Sequence, residues 1–199
     1  MMKLGLIDNG GANLASVKHA LRRLGVDAQR VTNADELAGC ERVVLPGVGA
    51  AADAMRRLEA GGLVAAIRDY EKPLLGVCLG LQLLFEHSDE GDVECLGLLP
   101  GRVRRIPEGR GVTVPHMGWN QLESVAGHPV LAGIDGNDWF YFVHGFAAAT
   151  GEHTLATCEH GIAFSAVAGR DNIVAAQFHP ERSGKSGARL LKNFLEWKR

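Results

Sequence analysis

The sequence lacks the cysteine patterns that staple a small protein or hold a structural metal ion. Its 199 residues include four cysteines, and no two of them form a Cys-x-x-Cys pair. Scattered thiols of this kind argue against a zinc site and against a disulfide framework. We therefore expect neither a bound metal nor a fold that depends on disulfides.

Long apolar runs and blocks of like charge are also missing. The longest uncharged stretch, residues 73–85, has 13 residues and includes Gln82, whereas a membrane span needs ~18 apolar residues. The apolar run at the N-terminus ends at Asp8, too early for a secretion signal. The formal net charge is only −2, which gives no indication of nucleic acid or a membrane surface as a partner. We expect a cytoplasmic protein.

What is present is an ordinary globular composition, with 46% apolar and 22% charged residues. In the first half, short apolar segments alternate with amphipathic helical patterns. The predicted strands are residues 3–8, 27–31, 42–46 and 74–77, and the predicted helices are 13–24, 50–70 (interrupted at Gly61-Gly62) and 79–87. A glycine loop is predicted at Gly10-Gly11. This alternation predicts βαβ units and a largely parallel sheet.

The second half consists of short strand patterns separated by Pro and Gly. They lie at residues 102–106, 112–115, 119–123, 139–143, 153–158, 162–167 and 173–178, and a closing helix is predicted at 186–197. We therefore predict a single α/β domain over residues 1–199. Its central sheet is expected to be mixed but mostly parallel, flanked by helices, with a smaller antiparallel extension.

The segment Gly76-Val77-Cys78-Leu79-Gly80 joins a predicted strand to a predicted helix. It is the thiol form of the nucleophile elbow, a turn that lifts a nucleophile above the end of a sheet. The two glycines suit a place where strand and helix backbones pass closely, and the helix N-terminus favours a thiolate. Taken alone, the motif is equally compatible with a buried free cysteine at a tight turn.

A catalytic cysteine needs a base, and His179 is the best candidate. It follows the apolar strand pattern 173–178 and precedes Pro180 and Glu181. Functional groups of open α/β sheets gather beyond the carboxyl ends of strands, where Cys78 is also expected. We predict Cys78, His179 and Glu181 as nucleophile, base and orienting acid. The N–H of Leu79 and the glycine loop at residues 46–50 could provide an oxyanion hole.

Together these residues resemble the class I, triad-type glutamine amidotransferases. The family pattern combines a Gly-x-Cys-x-Gly-x-Gln elbow, here ending at Gln82, with a late His-Pro-Glu, here residues 179–181. Further blocks at residues 45–50, 80–86, 115–120 and 141–144 are similar to the branch of this family that serves L-histidine biosynthesis. The most discriminating block is Pro-His-Met-Gly-Trp-Asn at 115–120.

The resemblance implies a reaction and the residues that perform it. Cys78 would attack the side-chain amide of L-glutamine, His179 would carry the proton to the leaving ammonia, and Glu181 would orient His179. The implied oxyanion donors are the N–H groups of Gly49 and Leu79. The implied substrate-binding residues are Gln82, Glu90 and His144. No cofactor is implied.

The resemblance also implies a partner. Ammonia would pass to a (β/α)₈-barrel cyclase subunit within a heterodimer, which would form imidazole glycerol phosphate and the carboxamide ribonucleotide AICAR. The residues implied at that interface are Met117, Trp119, Asn120 and Arg182. The chain departs from the family pattern at 8–13, where Asp-Asn-Gly-Gly-Ala-Asn replaces Asp-Tyr-Gly-x-Gly-Asn, and at Ala51, Gly145 and Arg182.

Two other functions share parts of this pattern. A glutaminase subunit of another synthase would have the same three residues and differ in its partner. A stand-alone cysteine hydrolase would act without a partner and would not need Gln82. A non-catalytic subunit that merely kept the fold would not need Cys78, His179 and Glu181 intact.

Overall fold

The computed structural model describes residues 2–10 and 13–198. Gly11 of the predicted glycine loop lies outside the described residues, as does Ala12 of the departing segment 8–13. The helices are α1 (Leu14–Arg23), α2 (Ala34–Ala38), α3 (Ala51–Ala60), α4 (Leu63–Arg68), α5 (Leu79–Leu84) and α6 (Gly184–Glu196), with 3₁₀ turns at Pro129–Leu131 and Pro180–Arg182. The first seven strands are β1 (Leu4–Ile7), β2 (Gln29–Val31), β3 (Arg42–Leu45), β4 (Leu74–Val77), β5 (His87–Ser88), β6 (Val93–Glu94) and β7 (Arg102–Arg105). The remaining strands are β8 (His116–Gln121), β9 (Ser124–Val125), β10 (Trp139–His144), β11 (Phe146–Ala148), β12 (Thr154–Glu159), β13 (Ala163–Arg170) and β14 (Ile173–Ala176).

Within the described part of the chain, eight strands form the main sheet in the order β2-β1-β3-β4-β14-β13-β12-β9. The pairings from β2 to β14 are parallel, and those among β14, β13, β12 and β9 are antiparallel. The rest of the sheet structure is an antiparallel β8–β10 ribbon and a small sheet in the order β11-β7-β5-β6, whose pairings are antiparallel except for the parallel pair β5–β7. The predicted mixed α/β sheet with a smaller antiparallel extension is confirmed.

The central strands β1, β3, β4 and β14 are short apolar runs that are buried along nearly their whole length. Their side chains alternate between two cores, as strands covered on both faces require. Helices α1 and α6 cover one face, and α2 to α5 cover the other. This two-sided burial places the polar groups that follow the strands at the strand ends, where the sheet meets solvent.

Several predicted elements differ from the structure in their bounds or existence. Helix α5 ends at Leu84 instead of residue 87, because the N–H groups of Leu98 and Leu99 donate to the Leu84 carbonyl. The predicted strand 112–115 is wrong: Val112 makes only an isolated bridge with Gly109. The strand predicted at 119–123 begins earlier, at His116, because it pairs with β10 along its whole length.

The turn between β4 and α5 packs closely against the neighbouring strands. Cys78 adopts φ 54° and ψ −108°, a backbone conformation that residues other than glycine rarely adopt. A Cβ added at Gly80 would clash with the backbone oxygen of Leu45, and one added at Gly76 would lie 2.9 Å from Cβ of Ala175. The glycines therefore allow α5 to begin directly against β3 and hold Cys78 at the carboxyl end of the sheet.

We predict that Gly80→Ala destabilises the protein. Alanine favours a helix by about 1 kcal/mol over glycine, but overpacking against rigid backbone costs up to about 3 kcal/mol. The urea-derived free energy of unfolding should therefore fall by about 2 kcal/mol. The control is Gly127→Ala, whose added Cβ meets nothing within 4 Å; it should change stability by less than about 0.5 kcal/mol. Equal free energies of unfolding for the two variants would contradict the close approach of α5 to β3.

Candidate active site

A cavity of about 300 Å³ opens above the carboxyl ends of β3 and β4. Seven of the residues predicted for the site line it: Gly49, Cys78, Leu79, Gln82, Glu90, His144 and His179. They come from separate parts of the chain that the fold brings together. Glu181 does not line the cavity and acts on it through His179, while the four residues predicted at a partner interface lie outside it.

His179 and Glu181 form a buried pair. Nδ1 of His179 lies 2.8 Å from Oε1 of Glu181, and their side chains are 3% and 0% exposed. Because a carboxylate only accepts, Nδ1 carries the proton. Burial alone would lower the pKa of His179, but the neighbouring Cys78 and the Glu181 carboxylate outweigh it and raise the pKa above its ordinary value.

Asn13 completes this pair and was not predicted to have a role. Its side-chain amide donates to Oε1 of Glu181 at 2.8 Å. Burial would raise the pKa of Glu181, but the bonds from His179 and Asn13 lower it below its ordinary value. The carboxylate therefore stays ionised beside the imidazole. Asn13 matches the last residue of the family's opening pattern, Asp-Tyr-Gly-x-Gly-Asn, and this match could have indicated a role for it in the site.

Cys78 stands at the start of α5 with its thiol facing polar groups. Its backbone N–H donates to Ala176 of β14 at 2.8 Å, and Sγ lies 3.8 Å from Nε2 of Gln177. The buried Nε2 of His179 has no hydrogen-bond partner among the described residues. In a site without substrate, catalytic hydrogen bonds are often long, so this nitrogen is available to the thiol.

Gln82 and Glu90 present polar groups to the same cavity. Both N–H groups of the Gln82 amide are used inside the protein, one on the Phe146 carbonyl at 2.9 Å and one on Oε1 of Gln177 at 3.1 Å. The amide oxygen of Gln82 is then the atom that can accept from a ligand. Oε2 of Glu90 accepts the N–H of Ala51 at 3.0 Å, and burial raises the pKa of this carboxyl.

His144 borders the cavity, but its ring nitrogens are already engaged. Nδ1 lies 2.8 Å from the Phe146 carbonyl, and Nε2 lies 3.0 Å from Nδ1 of His116. Both ring nitrogens therefore have partners inside the protein, and the substrate-binding role of His144 stays a prediction. Burial lowers the pKa of His116 to about 3 and that of His144 to about 4, so both rings are neutral.

The β8–β10 ribbon carries an exposed apolar face beside the cavity. We define the apolar ribbon face as Met117, Trp119, Trp139, Tyr141 and Val143. Met117, Trp119 and Trp139 are 64%, 52% and 50% exposed. Val143, opposite Met117, also lines the cavity, so the face begins at its mouth.

The other two predicted interface residues lie elsewhere. Asn120 belongs to the opposite side of β8, because successive strand residues alternate between faces, and its amide donates to the Glu159 carbonyl at 3.0 Å. Asn120 therefore lies on the other side of β8 from Met117 and Trp119, and its place at a partner interface stays a prediction. Arg182 is exposed in the 3₁₀ turn that follows His179.

Across residues 2–10 and 13–198, no group of three or more His, Cys, Asp or Glu side chains is arranged to hold a metal ion. Over the same residues, every helix is too short or too polar to cross a membrane.

Comparison with known proteins identifies the family of this site. The model of the glutamine amidotransferase class-I family matches residues 5–197. The chain belongs to the class-I glutamine amidotransferase family. This amidotransferase is 57% identical over 196 residues to a Xanthomonas axonopodis pv. citri protein named imidazole glycerol phosphate synthase subunit HisH, with 98% of each chain covered. A Xylella fastidiosa (strain Temecula1) protein of the same name is 52% identical, again with 98% of each chain covered.

Solved structures agree with the amidotransferase fold. A putative GMP synthase protein from Thermoplasma acidophilum matches with a TM-score of 0.77 and 22% identity, covering 98% of this chain and 93% of that one. The glutaminase domain of Trypanosoma brucei CTPS matches with a TM-score of 0.63 and 14% identity, covering 100% and 96%. At these identities the likeness concerns the fold alone.

We predict that the amidotransferase loses stability on acidification because of the two neutral histidines. Unfolding frees His116 and His144 to take up protons near pH 6.5, whereas the folded forms bind them only near pH 3 and 4. The unfolded state therefore binds more protons between these limits, and the free energy of unfolding falls as pH falls from 6.5 to 4.

His116→Phe removes one of these groups and should make the dependence on pH shallower in urea titrations. The control is His19→Gln at an exposed position, which should leave the slope unchanged. An unaltered slope in His116→Phe would show that His116 is not kept neutral by the fold.

Proposed function

We propose that this chain is the glutaminase subunit of an imidazole glycerol phosphate synthase and hydrolyses L-glutamine to glutamate and ammonia. The observation that carries the proposal is one cavity lined by both Cys78 and His179, with His179 held by the buried Glu181 side chain. The relatives that share 52–57% identity over 98% of the chain favour this synthase over others. The proposed domain spans residues 1–199, and the proposed compartment is the cytoplasm.

In the first half of the reaction, His179 takes the proton of the Cys78 thiol through Nε2. Sγ attacks the amide carbon of glutamine, and the resulting oxyanion is held by the N–H groups of Gly49 and Leu79. Leu79 opens α5, so its N–H has no partner in a preceding helical turn. Loss of one oxyanion donor typically costs about 10²–10³ in rate.

In the second half, the imidazolium of His179 gives its proton to the departing ammonia, which leaves a glutamyl thioester on Cys78. Water attacks this thioester with His179 again as the base, and glutamate is released. The ionised Glu181 holds the Nδ1–H of His179 throughout, which keeps Nε2 as the nitrogen that exchanges protons. No step requires a cofactor or a metal.

Glutamine is held by the polar groups of the cavity wall that have no partner inside the protein for the bonds concerned. The Gln82 amide oxygen accepts from the substrate, and the Glu90 carboxylate pairs with its α-ammonium group, which is a charge-assisted bond. Glu90 also holds the N–H of Ala51 at 3.0 Å, immediately beyond the loop that contains Gly49. Substrate that binds Glu90 therefore competes for the carboxylate that holds the end of the loop containing Gly49.

The apolar ribbon face is the proposed docking surface for a (β/α)₈-barrel cyclase subunit, with Arg182 near its rim. Two exposed tryptophans and a methionine beside a catalytic cavity have the composition of an interface core. Ammonia released next to Val143 would pass directly into the partner, which forms imidazole glycerol phosphate and AICAR in L-histidine biosynthesis. Asn120 would support this surface only from the inner side of β8.

We predict that Cys78→Ala abolishes glutamine hydrolysis and leaves the complex able to use free ammonium salts. The variant lacks the nucleophile but keeps the fold and the apolar ribbon face. Glutamate release and imidazole glycerol phosphate formation would be measured with each nitrogen source. Cys95→Ala, at another buried free thiol, is the control and should keep glutamine turnover. Glutamine turnover in Cys78→Ala would overturn the mechanism.

We predict that Trp119→Ala weakens the complex with the cyclase subunit by about tenfold or more, the scale of an aromatic hot spot. The affinity would be measured by isothermal titration calorimetry. Arg56→Ala, an exposed change on α3, should bind as the unmodified protein does. Equal affinity of Trp119→Ala and Arg56→Ala would place the interface elsewhere.

A further inference from the structure

Two histidines that the proposed mechanism does not use connect the ribbon to the cavity wall. Nδ1 of His116 lies 3.0 Å from Nε2 of His144, and both side chains are buried. On the outer side, the Asn120 amide lies 3.4 Å from Nε2 of His116 and donates to the Glu159 carbonyl at 3.0 Å. Its oxygen accepts the N–H of Gln121 at 2.8 Å, so the orientation of this amide is fixed.

On the inner side, the same chain of hydrogen bonds reaches the residues around the nucleophile. Nδ1 of His144 and the Gln82 amide share one acceptor, the Phe146 carbonyl, at 2.8 and 2.9 Å. The Gln82 amide also donates to Oε1 of Gln177 at 3.1 Å, and Nε2 of Gln177 lies 3.8 Å from Sγ of Cys78. The Gln82 amide is thus held by two acceptors, the Phe146 carbonyl and Oε1 of Gln177. His144 binds the first of these acceptors.

The two end groups of this series of hydrogen bonds, the Phe146 carbonyl and the Asn120 amide, determine which atom donates in each bond. The Phe146 carbonyl can only accept, so His144 carries its proton on Nδ1 and accepts on Nε2. His116 must then donate from Nδ1, and its own Nε2 accepts from Asn120. Both rings are neutral Nδ1–H tautomers, whereas a free neutral imidazole side chain favours Nε2–H. An imidazolium or the other tautomer at either position would set two donors or two acceptors against each other.

We propose that His116 is a positioning residue of the glutaminase site: through His144 it fixes the Phe146 carbonyl and so the Gln82 amide that faces the substrate. His116 itself does not line the cavity. The inference rests on the proposed function, because it assigns Gln82 to glutamine binding. It also changes the role of His144 from a ligand of glutamine to a link between His116 and the cavity wall.

The tautomers can be measured without any assay of activity. In the full-length chain labelled with ¹⁵N-histidine, long-range ¹H–¹⁵N correlation spectra assign the protonated nitrogen of each ring. We expect His116 and His144 to be neutral and protonated on Nδ1. An Nε2–H tautomer at either residue would overturn the chain of hydrogen bonds, whatever the function of the protein.

The positioning role is tested by steady-state kinetics of the complex with the cyclase subunit. His116→Phe keeps the stacking on Phe142 and His160, whose ring centroids lie 4.8 and 4.0 Å away, but leaves Nε2 of His144 without a donor. We expect KM for glutamine to rise by about tenfold, the scale of one unpaired buried acceptor, with kcat nearly unchanged. His116→Asn, whose amide places an N–H near the position of Nδ1, should restore most of the affinity.

His160→Phe is the matched control, because the His160 ring stacks on His116 while its Nε2 pairs with the Thr113 carbonyl, at 2.8 Å, outside the chain of hydrogen bonds from Asn120 to Gln82. It should have the KM of the unmodified protein. An unchanged KM in His116→Phe, no rescue in His116→Asn, or an equal KM increase in His160→Phe would overturn the proposal. If His116→Phe does not fold, His116→Gln takes its place against His116→Asn, because its longer amide cannot donate from the Nδ1 position. If the unmodified complex hydrolyses no glutamine, the proposed function fails and this role fails with it.

Discussion

The close approach of α5 to β3 is the constraint on which the site depends. Because Gly80 has no side chain, the helix begins against the Leu45 carbonyl, and Cys78 is forced into an unusual backbone conformation at the edge of the sheet. Strain of this kind persists only where the surroundings over-determine it. Here the N–H of Cys78 is tied to Ala176, and the strand that carries Ala176 leads directly to His179. The packing that creates the turn therefore also sets the distance between nucleophile and base.

Histidine side chains around the cavity have pKa values shifted in opposite directions. His179 meets a carboxylate and a thiol, which outweigh burial and favour its protonated form. His116 and His144 meet each other and backbone groups, and burial keeps them neutral. This separation matters because the proposed reaction needs one imidazole that exchanges protons and a wall that does not change charge. Rings that stay neutral above about pH 4 keep the same pattern of donors and acceptors around the Gln82 amide.

Features of the fold and the site could be predicted from the sequence where neighbouring residues determine them, and not where distant residues do. The parallel core followed from apolar runs such as those of β4 and β14, and the elbow and the His179–Glu181 pair followed from motifs within five residues. The end of α5 at Leu84 did not, because its carbonyl is taken by a loop fourteen residues away. Residues 112–115 have a strand pattern but form no ladder with another strand. The Gln82–Gln177 bond joins positions 95 residues apart, and no spacing in the sequence indicates such a partner. The separation of Asn120 from Met117 and Trp119 could be predicted, because successive residues of a strand such as β8 face opposite sides.

The proposed reaction passes through a covalent glutamyl thioester on Cys78 beside His179. Rapid acid quenching of the complex during turnover of ¹³C-labelled glutamine, followed by peptide mass spectrometry, detects this intermediate. We expect a labelled glutamyl group on the peptide containing Cys78, lost on treatment with hydroxylamine, and none on Cys40, Cys95 or Cys158. Steady glutamate production with no adduct on Cys78, or with the label on another residue, would contradict it.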